Sequence, residues 1–187
     1  MREQARVTDL QAYQKPEFSH AEVLEITGLT ADTLLTWYKR GVVITSEGTE
    51  AKGRGHRRKY SEHDVTRLMI MKLLAPTIPL PLASAMAGSA SLMVLLASQM
   101  AAFRETRDEL DEMPGASLLA YLDSAGKPRF DLVGDAHYEG LDPLPAGGIS
   151  AWMRNAEVSA VTVLDINMIM FKLYAAFVNV RVRHWAR

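Results

Sequence analysis

The sequence predicts a mainly α-helical fold in which an N-terminal helical module is followed by a helix and a small α/β C-terminal region. Three helix-start patterns lie within the first 65 residues, a 24-residue stretch without charge follows them, and most segments with strand character lie after residue 115. With 187 residues, the chain is long enough for one domain with a sizeable core or for two small ones.

Composition narrows the classes of function. The hydrophobic share of 48% and the charged share of 23% are ordinary for a globular protein. The chain contains no cysteine, which excludes disulfides, thiolate metal sites and cysteine nucleophiles. Its five histidines are scattered without metal-ligand spacing, and the N-terminal residues do not have the pattern of a secretion signal. We therefore expect a cytoplasmic protein that holds no metal and no cofactor.

Each of the three helix starts combines a capping residue with two apolar residues that flank it. Ser19, Thr30 and Ser61 are the capping residues, and an acidic residue stands three positions after the first and the third of them. The apolar pairs that would close over the caps are Phe18 with Val23, Leu29 with Leu34, and Tyr60 with Val65.

The first two helices form a predicted helix-turn-helix unit. The first is predicted over residues 19–27 and the second over residues 30–40, and a glycine follows each helix directly. On the second helix, three large side chains share one face that we assign to the core: Leu34, Trp37 and Tyr38.

A basic, glycine-rich loop separates the second helix from the third. Residues 39–59 contain seven Lys or Arg and two Glu, although the whole chain carries a formal net charge of −1. Residues 42–45 and 56–60 have strand character, so we predict a β-hairpin wing with a polar tip. Beside a helix-turn-helix, such a wing is placed to contact DNA phosphates while the second helix enters a groove.

The third helix is predicted over residues 61–74 and a short fourth one over residues 81–87. The uncharged stretch 80–103 has the length of a membrane span. It also contains Pro81, Gln99 and four serines, and Gly88 interrupts it, so we predict two short buried helices instead. One side of the third helix carries Val65, Leu68, Met69, Lys72 and Leu73.

The remainder of the chain mixes helix and strand signals. A longer helix is predicted over residues 92–113, and two strands within 116–134 are joined by a turn at Ser124–Lys127. A further strand is predicted over 158–164. The last helix, 166–182, is apolar nearly all round, so we expect it to be buried on several sides.

These elements divide the chain into four predicted segments. Residues 1–17 would form a flexible arm, and 18–88 a winged helix-turn-helix domain. Residues 89–113 would form a linking or dimerisation helix, and 114–187 a C-terminal α/β region for dimerisation or sensing.

Residues 18–43 and 55–74 resemble the MerR family of bacterial transcription regulators. One departure is Leu35, which stands where the family has an arginine that contacts DNA, and a second is the longer, glycine-rich wing. The resemblance implies a winged helix-turn-helix that binds promoter DNA as a dimer and distorts it, with a long helix after the module paired with its twin. The matching residues are Gly28, Leu29, Thr30, Thr33, Leu34, Trp37, Gly41, Arg58, Tyr60, Ser61 and Asp64.

The leading interpretation is a dimeric DNA-binding transcription regulator without enzymatic activity, because no phosphate-binding loop, nucleophile motif or metal motif occurs. The expected partners are double-stranded DNA, a second copy of the chain, and RNA polymerase at a promoter, but no membrane. The alternatives are an excisionase-like or phage-derived DNA-bending accessory protein, and a protein-interaction adaptor that has lost DNA binding. The candidate DNA contacts are Thr30, Thr33, Thr36, Lys39, Arg40, Arg54, His56, Arg57, Arg58, Lys59 and Tyr60.

Overall fold

The computed structural model describes residues 12–43, 45, 58–105, 115–134, 141–158 and 161–186, and it is mostly helical with two small sheets. The chain divides into two compact units. The first consists of residues 1–105 and 171–187, and the second of residues 106–170. The last helix therefore contributes most of its length to the N-terminal unit, a grouping that the sequence did not predict.

The first unit contains a two-stranded sheet and the helices that surround it. Its elements, in chain order, are β1 (Phe18–Ser19), α1 (His20–Thr27), α2 (Ala31–Lys39), β2 (Lys59–Tyr60), α3 (Glu62–Leu74), α4 (Leu80–Ala87) and α5 (Ala90–Glu105). Residues 171–185 of α7 (Ile166–Trp185), the last helix of the chain, complete the unit.

The predicted caps of α1, α2 and α3 are confirmed. Ser19 and Ser61 each accept a hydrogen bond from the backbone N–H three residues on, while the carboxylates of Glu22 and Asp64 accept one from the backbone N–H of the capping residue. Thr30 caps α2 by accepting from Thr33 N. These short-range bonds satisfy N–H groups that the first turn of a helix leaves without a carbonyl partner.

The core face of α3 is broader than its apolar pattern indicated. Val65 and Leu68 are buried, but Leu73 is 38% exposed, and Glu62, Asp64 and Thr66 are buried although they are polar. Burial of α3 therefore extends beyond the side that carries its apolar residues, because the helix is covered from several sides and its polar residues find partners there.

Strand β2 pairs antiparallel with β1, so that Phe18 lies opposite Tyr60 and Ser19 opposite Lys59. The sequence had assigned the partner strand to residues 42–45, of which 42, 43 and 45 are described and are not in a strand. Phe18 and Tyr60 are both fully buried, and this apolar pair fixes the register. The tip of the predicted wing, residues 46–57, lies outside the described residues, so the wing remains a prediction.

Helices α4 and α5 occupy the uncharged stretch and are separated at Gly88, as predicted. Within the described ranges, no single helix is long and apolar enough to cross a membrane. Residues 80–87 and 92–101 reach that length and hydropathy only when they are taken together across a 54° bend.

The second unit is built around a four-stranded sheet. Its strands lie side by side in the order Asp142–Pro143 (β5), Pro128–Gly134 (β4), Ala116–Leu122 (β3) and Val161–Asp165 (β6). Strands β3 (Ala116–Leu122) and β4 (Pro128–Gly134) form an antiparallel hairpin, and the Asp123 carboxylate accepts backbone N–H groups within its turn. The remaining elements of this unit are β5 (Asp142–Pro143), α6 (Gly148–Asn155), β6 (Val161–Asp165) and the first turn of α7.

Helix α7 is buried along one face only. Leu173, Phe177 and Val180 are at most 1% exposed, whereas Val182 is 54% exposed and Trp185 is 85% exposed. The expectation that this helix would be buried on several sides is therefore wrong for its last three turns within the first unit.

Stability should depend on pH through His63, a buried residue of α3. Burial lowers the pKa of His63 to about 4, although the Asp64 carboxylate favours the charged ring. The unfolded chain gains this proton near the ordinary value of 6.5. The contribution of the neutral His63 ring to the free energy of unfolding should therefore be present in full above pH 6.5. The free energy of unfolding should fall by about 2 kcal/mol as the pH decreases toward 4.

Urea unfolding at pH 6.5 and at pH 5 would measure this dependence before most carboxylates titrate. His63→Gln should remove most of the difference between the two pH values, and the matched change of exposed His20→Gln should retain it. An equal pH dependence in wild type and His63→Gln would show that the neutral ring is not the cause.

Candidate nucleic-acid interface

Helix α2 has a buried face and a polar exposed face. Leu34 is 0% exposed and Trp37 is 7% exposed, while Thr36, Lys39 and Arg40 are exposed on the other side. The predicted core assignment is confirmed for these two apolar residues. A helix with one face packed against the module and the other carrying hydroxyl and cationic groups can be placed in a groove of DNA.

The turn between α1 and α2 is held by Lys72, a residue whose role the sequence did not indicate. Gly28 ends α1 in the left-handed conformation, at φ 61°. The Nζ atom of Lys72 donates to the carbonyl oxygens of Thr27, at 2.7 Å, and Gly28, at 3.2 Å. A Cβ atom on residue 28 would lie 3.0 Å from that Nζ, so both backbone angle and space favour glycine. The ammonium group thereby fixes the orientation of α2.

Two of the candidate contacts already take part in local hydrogen bonds. The hydroxyls of Thr30 and Thr33 lie 2.8 Å apart, and the Thr30 hydroxyl also accepts from Thr33 N. Thr30 therefore acts as a cap, and Thr33, which is half-buried, supports it. Leu35, by contrast, is 50% exposed on the same helix.

The residues that follow the predicted wing differ in whether their side chains are free to contact DNA. The Arg58 guanidinium lies 4.3 Å from the centre of the Tyr38 ring and braces the chain against α2. Lys59 is exposed, and its Nζ is 3.5 Å from the carbonyl oxygen of Glu17. Tyr60 is 1% exposed, so its ring is not available to DNA and it is withdrawn from the candidates. The other candidates of the wing, Arg54, His56 and Arg57, lie outside the described residues.

The charge states of Arg58 and Tyr38 are set by opposing effects of burial and of their mutual contact. Burial works against the charge of Arg58, but its contact with Tyr38 holds the pKa of Arg58 above its ordinary value. Burial also raises the pKa of Tyr38, so the phenol stays protonated. The cation and the neutral ring therefore persist over the physiological range. The sequence had placed Arg58 on phosphates or over Tyr60, and its packing on Tyr38 favours a bracing role.

The basic residues at the end of α7 are paired within the first unit. Arg183 pairs with Glu25, and His184 Nε2 lies 2.7 Å from Glu22 Oε1. Burial works against the Glu22 carboxylate, but hydrogen bonds from Ser19 and His184 outweigh it and lower the pKa of Glu22 to about 2. These basic side chains are therefore engaged by acidic groups, whereas Lys39 and Arg40 are exposed at the end of α2.

The described part of the second unit offers little for a metal or an anionic ligand. Among the described residues there is no group of three or more His, Asp or Glu that could hold a metal ion. An open cavity of about 260 Å³ lies beside β3, β4 and β5, and its charged lining residue is Asp165. That carboxylate accepts from Met168 N at the start of α7 and so serves as a helix cap.

This geometry is that of a helix-turn-helix whose second helix presents a cationic end. Residues 18–76 match the family described as MerR HTH family regulatory protein. The MerR resemblance is thus confirmed over this segment, and a MerR-type domain supports a DNA-binding transcription regulator. A comparison with curated proteins gave no significant match.

Proposed function

We propose that this protein is a DNA-binding transcription regulator that acts as a dimer, with α2 in the major groove and the basic wing on phosphates. The proposal is carried by the exposed face of α2 within the MerR-type segment. Each copy would bind one half-site, and the two half-sites would be separated by one helical turn of DNA, about 34 Å, or a multiple of it.

The residues of α2 would take different roles in the groove. Arg40, at the end of the helix, carries the forked donors that suit guanine, and Thr36 offers a hydroxyl one turn earlier. Lys39 is exposed beside them and would neutralise a phosphate. Because Lys72 and the buried Trp37 fix α2 on the module, the helix would enter the groove as a rigid element.

Leu35 favours a second candidate function, that of a protein-interaction adaptor. It is 50% exposed at the position where the family has an arginine. In a groove, an exposed leucine can contact only apolar groups such as the thymine methyl. An adaptor would use the same apolar side chain against another protein, and would then not need the cations of α2.

Arg40→Ala should weaken binding to the selected DNA site by about 1–3 kcal/mol if the guanidinium reads a base. The site would first be obtained by selecting random duplexes with the full-length protein. Titration by fluorescence anisotropy then gives the dissociation constants for the selected duplex and for an unrelated duplex. Loss of a base contact should reduce the ratio between the two constants.

Arg154→Ala is the matched control, since Arg154 is an exposed arginine on α6 in the second unit. It should leave both dissociation constants unchanged. If Arg40→Ala has no effect on affinity or sequence preference, the proposed orientation of α2 is wrong. If the wild type selects no sequence at all, the adaptor is favoured.

A further inference from the structure

The last three turns of α7 carry an exposed apolar stripe. Ala175 is exposed, and Val178, Val182 and Trp185 are 36%, 54% and 85% exposed. The intervals along this stripe are three, four and three residues, so the four side chains lie on one face of the helix. The opposite face, with Leu173, is buried in the first unit. We name the four exposed residues the α7 seam.

We propose that the α7 seam is the surface on which a second copy of this chain docks, with the two α7 helices antiparallel. This inference rests on the proposed function, of which the dimer is a part. It assigns the pairing to the last helix rather than to the helix after the DNA-binding module, which the MerR resemblance implied.

The seam is complementary to itself in the antiparallel direction. Val178 and Val182 lie two residues on either side of position 180, and Ala175 and Trp185 lie five residues on either side of it. A twofold axis at this level places Val178 opposite Val182 of the second copy. It also places Trp185, the largest side chain, opposite Ala175, the smallest. Large against small is the combination that lets facing helices interdigitate, and mutual contacts of this kind define a symmetric dimer.

Charge does not oppose this pairing. Arg181 borders the seam, and the twofold axis would bring it near its own copy. Its guanidinium is already bound by Glu17, at 2.8 Å, and by Glu62. The positive charge is therefore balanced inside each chain. On the other border stands the exposed and uncharged Asn179, whose amide can donate to and accept from its copy.

The exposed area fits the centre of an interface. The seam leaves on the order of 400 Å² of apolar surface exposed per chain, which is the size of the largest apolar patch on a typical monomer, and such patches are often functional. Stable interfaces bury about 800 Å² per partner, so polar residues at the rim would supply the other half. We expect association at micromolar concentration.

The other candidate helix exposes less apolar surface in its described part. On α5, Ala90, Val94 and Ser98 are exposed, and Val94 is the large apolar residue among them, at 65%. Val94 therefore provides a control of the same residue type and similar exposure on a different helix.

Sedimentation equilibrium of the full chain at about 1–100 µM tests the proposal. The wild type should approach twice the chain mass of 20.7 kDa at the highest concentration. Val182→Asp should remain monomeric, and Trp185→Ala should raise the dissociation constant at least about tenfold. Val94→Asp should leave the dimer unchanged. Trp185 is 85% exposed, so its removal should not affect folding, which circular dichroism would check.

Cross-linking tests the direction of the two helices, because the chain has no cysteine of its own. The double variant Ala175→Cys/Trp185→Cys should form a covalent dimer on oxidation. Neither single variant should do so, since antiparallel helices hold identical positions of this pair about 15 Å apart along the axis. Cross-linking of the single Trp185→Cys variant would overturn the antiparallel arrangement.

Different experimental outcomes would contradict the α7 seam and the proposed DNA-binding function. A folded Val182→Asp variant that still dimerises would overturn the seam and leave the DNA-binding dimer intact. Dimer loss in Val94→Asp but not in Val182→Asp would assign the interface to α5 and equally overturn the seam. A wild-type chain that stays monomeric at the highest concentration would remove the dimer, while binding to a single half-site would still support DNA recognition.

Discussion

Replacing Arg104 and Arg181 together with methionine should lower the free energy of unfolding by about 3–5 kcal/mol. The reason is Glu62, whose side chain is 1% exposed and pairs with both arginines. Arg104 comes from α5 and Arg181 from α7, so one buried carboxylate of α3 joins two helices that are distant in sequence. Without the arginines, Glu62 is left as a buried charge that must be neutralised or exposed to water.

Chemical denaturation of the double variant measures this loss, and a third substitution tests its cause. Adding Glu62→Met should recover most of the stability, because it removes the buried charge and leaves only Glu17, whose side chain is 28% exposed, without its arginine. The control is Arg129→Met, since Arg129 is 59% exposed and its ion pair with Asp123 should contribute less than about 1 kcal/mol. Equal losses in the double variant and this control would show that Glu62 is not the cause.

Phe177→Ala should lower the free energy of unfolding by about 3–5 kcal/mol as well. The Phe177 ring is fully buried, and its centroid lies 4.9 Å from that of Phe18 on β1. Removing it leaves a cavity beneath the strand that precedes the helix-turn-helix. The last helix should therefore be required for the stability of the DNA-binding module, although the two are about 150 residues apart in sequence.

A double-mutant cycle isolates the contact between the two rings. Phe18→Ala and Phe177→Ala together should cost less than the sum of the single losses, by about 0.5–1.5 kcal/mol. Phe171→Ala on the same helix is the control, and it should cost less than Phe177→Ala because that ring is 43% exposed. Strict additivity of the two single losses would mean that α7 does not pack on β1 in solution.

Local signals account for the features that sequence reasoning predicted well. The Ser19 and Ser61 caps involve groups three residues apart, and the left-handed Gly28 ends a helix by its own backbone conformation. The hairpin turn after Leu122 is equally local, because the Asp123 carboxylate accepts from the backbone N–H groups of Ala125 and Lys127. Such bonds form wherever the chain places these residue types at these spacings, so they can be predicted from one sequence.

The candidate interface was only partly predictable. The exposed side of α2 follows from its helical period, so Thr36, Lys39 and Arg40 could be chosen in advance. Whether a basic residue is available to DNA depends on what else it meets, and Arg58 meets Tyr38, which no spacing indicates. The burial of Tyr60 beside β1 depends in the same way on Phe18, a strand partner 42 residues earlier.

By itself, the sequence determined where most helices begin and end, which face of α2 is polar, and the MerR-type segment at 18–76. Only the tertiary structure decided that Lys72 holds the turn before α2, that Glu62 joins α5 and α7, and that α7 keeps one apolar face exposed. The reason is physical: helix starts depend on hydrogen bonds between near neighbours. The choice of partner for a buried charge or an apolar face depends on packing between segments far apart in the chain. Many segments of the same chain could make a given contact, and only the folded structure selects one of them.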